Sequence, residues 1–129
     1  PDNRHLSDHV IQELIKRNGV IGVMPYNEFL RSNWKKQDGR QDISLDHFVT
    51  HIDYICQMAG DAHHVGLGTD FDGGFGLESV PAELDSIADL QKLTPLLEAR
   101  GYSERDISAI LGGNFIGHLK NSLPAVIVT

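Results

Sequence analysis

The chain has 129 residues, 40% hydrophobic and 22% charged, which suits one ordinary folded domain and excludes extensive disorder. Its formal net charge of −7 disfavours nucleic acid and anionic membrane as partners, because both need a basic patch. Cys56 is the single cysteine, so an intramolecular disulfide is excluded, and no apolar run reaches the length of a membrane span.

The first predicted element is a helix capped by Ser7, with Val10, Ile11, Leu14 and Ile15 on its apolar face. Asn18-Gly19 stops it, and Val20 to Met24 follows as a short buried strand ended by Pro25. Residues 25–43 read as a long polar connection containing Trp34, Lys35, Lys36 and Gly39, a length that in compact domains marks function or mobility. Ser44 caps a second helix with an apolar stripe of Leu45, Phe48, Ile52, Ile55 and Ala59, closed by Gly60. An apolar, glycine-spaced strand then runs from His64 into Thr69-Asp70-Phe71-Asp72-Gly73-Gly74. After a loop over residues 73–84, a third helix is expected from Ser86 to Arg100, with Ile87, Leu90, Leu93 and Leu97 facing inward. Gly101 ends it. Ser103 caps a fourth helix carrying Ile107, Ile110 and Leu111, and Gly112-Gly113 breaks the chain before a last turn with Phe115 and Leu119. The apolar tail 124–129 fits no one element.

Alternating helices and strands imply a parallel sheet covered by helices, yet two strands are too few to close one. The fold class read here is α/β, and the chain is expected to be part of a larger fold completed by further polypeptide. The opening Pro-Asp-Asn-Arg is neither a signal peptide nor a translation start, so upstream residues are expected and this end leaves the compartment open.

Asp70 is the leading candidate for chemistry. It falls where the second strand leaves the sheet, and strand carboxyl ends are where α/β folds meet their substrates. A helix cap or loop hydrogen-bond acceptor explains the same residue without catalysis. Asp72 before Gly73-Gly74 reads as turn chemistry. His47 and His51 are four apart on a helix but lack the glutamate of a zinc-protease motif, so they read as a surface pair. His63 and His64 read as structural, at the opposite end of the strand from Asp70. His5, His9 and His118 show no partner in the sequence.

Four blocks carry a resemblance along nearly the whole chain. They are Arg4-His5-Leu6-Ser7-Asp8; Gly19-Val20-Ile21-Gly22-Val23; His51-Ile52-Asp53-Tyr54-Ile55 with Ala59-Gly60, His64 to Gly68 and Asp70-Phe71-Asp72-Gly73; and Gly101-Tyr102-Ser103-Glu104 with Ile107 and Gly112-Gly113-Asn114-Phe115. Together they resemble the C-terminal part of the membrane (renal) dipeptidase family of zinc peptidases. The resemblance implies the C-terminal segment of a (β/α)8 TIM-like barrel of the metal-dependent hydrolase type, incomplete in this chain, with residues 1–129 belonging to a single barrel domain. It implies hydrolysis of dipeptides by the intact enzyme, with two zinc ions whose ligands all lie upstream of Arg4.

In that pattern Asp70 handles the protons of hydrolysis and Arg4 holds the substrate carboxylate. Phe29 stands where some members carry a tyrosine near that carboxylate. The implied partners are a dipeptide, the remainder of the barrel or another chain, and a further copy of the protein; a cytoplasmic location is expected if the source is bacterial. Two other readings stay open. One is a haloacid-dehalogenase-like, Mg-dependent phosphatase with Asp70 as nucleophile. The other is a noncatalytic, incomplete chain that packs against a partner.

Overall fold

The structure, a computed structural model, describes residues 5–124. Helix α1 (Asp8–Lys16) starts where Ser7 accepts a hydrogen bond from the Val10 N–H at 3.4 Å. It ends at Asn18, whose φ of 56° is the left-handed conformation that asparagine tolerates. Strand β1 (Ile21–Val23) pairs in parallel with β2 (Val65–Leu67), with Gly22 opposite Gly66. Helix α3 (Leu45–Ala59) connects them, so β1–α3–β2 is one βαβ unit. The sheet has only these two strands among the described residues, and each strand keeps one edge unpaired.

Strand alternation sorts the two faces of the sheet. Val23 and Val65 point into the core, where Phe48, Val49 and Ile52 of α3 are fully buried. Burying each such side chain contributes about 1.5–3 kcal/mol. The opposite face carries Gly22, Gly66 and Gly68, and the Phe115 ring lies directly on Gly66, where an added Cβ would meet it at 2.5 Å. Glycine is therefore required at Gly66 because an aromatic ring sits against the backbone.

The expected polar connection 25–43 is more ordered than its composition suggests. It contains α2 (Asn27–Leu30) and a 3₁₀ turn (Lys36–Asp38), and Trp34 is buried, its indole N–H donating to the Gly39 carbonyl at 2.8 Å. The expected helix 86–100 is split. A 3₁₀ segment (Ile87–Lys92) precedes α4 (Leu93–Ala99), and Ile87, expected inside, is 70% exposed. Three residues per turn instead of 3.6 rotates Ile87 off the face that Leu93 and Leu97 bury.

Gly112 interrupts the helical run, as expected: its φ of 175° and ψ of −27° are not helical, and a kink there within Ala109–Gly113 separates α5 (Glu104–Ser108) from α6 (Asn114–Ser122). α6 is longer than the single turn expected. No helix among the described residues is long and apolar enough to cross a membrane.

The sequence blocks meet in space. The Tyr102 hydroxyl donates to Asp53 at 2.5 Å, and Arg100 reaches Asp46 at 2.8 Å and the Thr50 hydroxyl at 2.7 Å, joining the α4–α5 turn to α3. Burial and the hydrogen bond to Asp53 push the Tyr102 phenol well above its ordinary pKa. Burial likewise raises the neighbouring Cys56 thiol, which sits in the core as a small apolar residue. Asn114 donates to the carbonyls of Ala62 at 2.7 Å and Val65 at 2.8 Å, fixing the start of β2.

Candidate active site

The two strands are parallel, so their carboxyl ends lie together and two long loops leave from one edge of the sheet. Side chains weld these loops to each other. Asn27, fully buried, donates to the Val80 carbonyl at 3.0 Å. Arg40 donates to the carbonyls of Pro81, Ala82 and Leu84 at 2.7, 2.6 and 2.9 Å and pairs with Asp85 at 3.0 Å. The Ala82 N–H bonds back to the Ile43 carbonyl at 2.8 Å. Nothing in the local sequence marks Arg40 for this role, since all its partners lie more than forty positions away.

Asp70 emerges at this edge. The ladder ends with the Gly68 N–H donating to the Val23 carbonyl at 2.9 Å, and Asp70 follows two residues later with a φ of 52°. Left-handed backbone costs about 1–2 kcal/mol in most residues and less in aspartate. The Gly73 N–H closes a turn onto the Asp70 carbonyl at 2.9 Å, and the Asp70 carboxylate lies so close to Gly73 that any Cβ there would collide with it. Asp70 is exposed, and no hydrogen-bond donor or cation among the described residues engages its carboxylate. The helix-cap alternative is therefore excluded. Asp72 is exposed in the same turn.

Phe29 sits on α2 at a second place. A cleft of about 550 Å³ runs along β1 and is lined by His5, Ile21, Gly22, Phe29, His51 and Tyr54 among others. The His5 ring packs edge-on against Phe29 at 5.5 Å, and its Nε2 lies 3.1 Å from the Phe29 carbonyl. Phe29 packs on Tyr26 at 5.0 Å and Tyr26 on Phe75 at 4.9 Å. This aromatic row ties α2 to the loop five residues beyond Asp70. Asp70 itself does not line the 550 Å³ cleft. The described residues thus link Phe29 and Asp70 through Tyr26 and Phe75 and do not bring them to one pocket. Arg4 lies outside the described residues.

The histidines resolve one by one. His64 is structural: its Nδ1 lies 3.0 Å from the Gly19 carbonyl and its own carbonyl accepts from Ile21 at 2.8 Å. His47 and His51 are not a surface pair. His47 Nδ1 accepts from the Ser44 N–H at 3.2 Å, closing the start of α3 as a glutamate does in a capping box. His51 is half-buried at the cleft, and burial together with the neighbouring His5 holds its pKa below the ordinary imidazole value.

Among the described residues no three His, Cys, Asp or Glu side chains converge to hold a metal ion.

Fold and site together define an α/β segment built on one βαβ unit, with an exposed carboxylate just beyond the carboxyl end of a strand. Comparison with known proteins gives the family. The pattern of the membrane dipeptidase family, peptidase family M19, matches residues 1–122. An uncharacterised Klebsiella pneumoniae protein encoded in the pqqA 5′ region is 37% identical over 94% of this chain and 42% of its own length. The dipeptidase aclJ of Aspergillus oryzae is 31% identical over 90% of this chain and 25% of its own. The crystal structure of a dipeptidase described as a metallo peptidase of family M19 superposes with a TM-score of 0.80 at 25% identity, over 95% of this chain and 34% of that one. A Rhodobacter sphaeroides metallo peptidase, crystallised with a phosphinate mimic of the dipeptide L-Ala-D-Ala, shares the fold with a TM-score of 0.77 at 24% identity, over 93% of this chain and 32% of that one. The chain belongs to the membrane dipeptidase family. It spans only 25–42% of the length of these two curated relatives, so the fold is a partial barrel.

Proposed function

We propose that residues 1–129 are the C-terminal portion of a single barrel domain whose intact form hydrolyses dipeptides. Family membership over residues 1–122 supports a metallohydrolase. The observation that carries the assignment to a particular residue is the exposed, uncommitted carboxylate of Asp70 at the strand's carboxyl end. Asp70 accepts a proton as a water oxygen attacks the scissile carbonyl carbon. It then returns that proton to the amine as the C–N bond breaks. Such proton transfer is worth roughly 10²–10⁴ in rate.

Arg4, through its guanidinium fork, holds the carboxylate end of the substrate, and Phe29 contributes apolar contact beside that end. A phenylalanine there offers no hydroxyl, so recognition at that end rests more heavily on the arginine. Zinc is the metal this reading requires, with ligands supplied by sequence outside this chain. The phosphatase reading finds no support in the family match or in the structural neighbours.

The test is an assay of an intact barrel carrying this segment, on dipeptides and on an aryl phosphate, before and after chelation. The reading expects dipeptide hydrolysis that chelator abolishes and added zinc restores. Phosphate release without dipeptide hydrolysis overturns it.

A further inference from the structure

Helix α2 (Asn27–Leu30) is a single turn of four residues. A helix that short has no stability of its own, so whatever holds it decides where its side chains stand. One side is fixed by burial: Leu30 sits in the core, and the buried Asn27 donates to the Val80 carbonyl at 3.0 Å. Phe29, read above as contacting the carboxylate end of the substrate, is half-buried and does not belong to that side.

The last carbonyls of a helix have no partner within it and need donors from elsewhere. The Phe29 carbonyl finds one in His5, whose Nε2 lies 3.1 Å away. A carbonyl only accepts, so the imidazole donates from Nε2. The same ring packs edge-on against the Phe29 ring, with centroids 5.5 Å apart and an interplanar angle of 68°. His5 therefore grips one residue twice, by its backbone and by its side chain, from twenty-four positions away in the chain. His51 of α3 stands 6.5 Å from the His5 ring, so that ring has a neighbour on α3 as well as on α2.

We propose that His5 is a positioning residue: it holds the Phe29 ring beside the carboxylate end of the dipeptide and acts on the substrate only through that ring. The proposal rests on the dipeptidase reading and on the place that reading gives Phe29. Its effect falls on binding, because the carboxylate end takes no part in bond breaking. Loss of one neutral hydrogen bond corresponds to about a three- to tenfold rise in KM with kcat little changed.

The experiment measures kcat and KM for alanyl-alanine in an intact, metal-loaded barrel carrying His5→Leu, His5→Gln, Phe29→Ala, or His5→Leu combined with Phe29→Ala. His5→Leu is expected to raise KM about three- to tenfold at nearly constant kcat and thermal midpoint. His5→Gln, whose side-chain amide donates to the same carbonyl, is expected to stay within about twofold of wild type. In the Phe29→Ala background His5→Leu is expected to change nothing further, because the ring it positions is gone. An equal rise in KM in both backgrounds overturns the proposal, since His5 then acts elsewhere, through Arg4 beside it in the chain. An unchanged KM in His5→Leu overturns it too, as does a fall in kcat or thermal midpoint in its place, which makes His5 part of the general scaffold. His5→Gln as impaired as His5→Leu removes the hydrogen bond as the cause and overturns it as well. A wild-type KM in Phe29→Ala alone contradicts the place given to Phe29, and a wild-type protein inactive on dipeptides contradicts the dipeptidase reading itself, two results distinct from the others.

Discussion

The two ends of the short sheet are built on opposite principles. At the amino end the polar groups are committed to the scaffold: His64 to Gly19, the Ile21 N–H to the His64 carbonyl, and Asn114 to Ala62 and Val65. At the carboxyl end the loops are tied to each other by Asn27 and Arg40, but Asp70 is left with an exposed carboxylate and a left-handed backbone. A buried polar group without a partner is costly, so the groups under the sheet are bonded into the scaffold, whereas the exposed Asp70 carboxylate is solvated and needs no protein partner. The difference teaches which groups the fold itself requires and which it leaves open to solvent.

That contrast breaks if scaffold changes behave like site changes. The largest effect is expected at Arg40. Arg40→Met in an intact barrel removes charge-assisted hydrogen bonds to three carbonyls and is expected to cost about 3 kcal/mol of stability, measured by chemical denaturation. Next is Gly73→Ala. The new Cβ collides with the Asp70 carboxylate, so kcat is expected to fall about a hundredfold, roughly 2.7 kcal/mol of barrier, with little change in unfolding midpoint. Gly66→Ala pushes against the Phe115 ring and is expected to cost about 2 kcal/mol of stability with kcat nearly unchanged. If Gly66→Ala abolished turnover while Gly73→Ala unfolded the protein, the division between the two ends would be reversed.

The smallest effect is pH-dependent. Burial, His5 and His47 hold His51 below the ordinary imidazole value of about 6.5, against a smaller opposing pull from the Leu30 carbonyl. The unfolded chain therefore binds a proton more readily than the folded one as pH falls through that value. Stability is fully present above about pH 6.5 and declines as pH drops towards the folded pKa. His51→Gln is expected to flatten this decline, read as a smaller drop in thermal midpoint between neutral and mildly acidic buffer.

Much of this was legible because its cause is local. Ser7, Asn18 and the stripe Leu45, Phe48, Ile52 announce helix ends and faces through spacing alone, and β2 is visible as an apolar run ending in Asp70. What could not be read depends on distant partners. Trp34 is buried although its neighbours are polar, because Gly39 turns a carbonyl to its indole. Ile87 is exposed because its helix starts as 3₁₀. The Arg40 clamp and the Phe115 ring on Gly66 join positions more than forty apart, beyond any periodicity. For the candidate site, spacing singles out Asp70 and the glycines that follow it but not the collision that a side chain at Gly73 would make with the Asp70 carboxylate, and Phe29 lies along a cleft that Asp70 does not line.

The central claim is that Asp70 and not its neighbour Asp72 does the chemistry. It is tested most directly by comparing Asp70→Asn with Asp72→Asn in an intact, metal-loaded barrel. Asparagine tolerates the left-handed backbone at that position, so the fold is kept. The account predicts a loss in kcat of roughly 10²–10⁴ for Asp70→Asn at an unchanged thermal midpoint, and near wild-type turnover for Asp72→Asn. Full turnover by Asp70→Asn contradicts it.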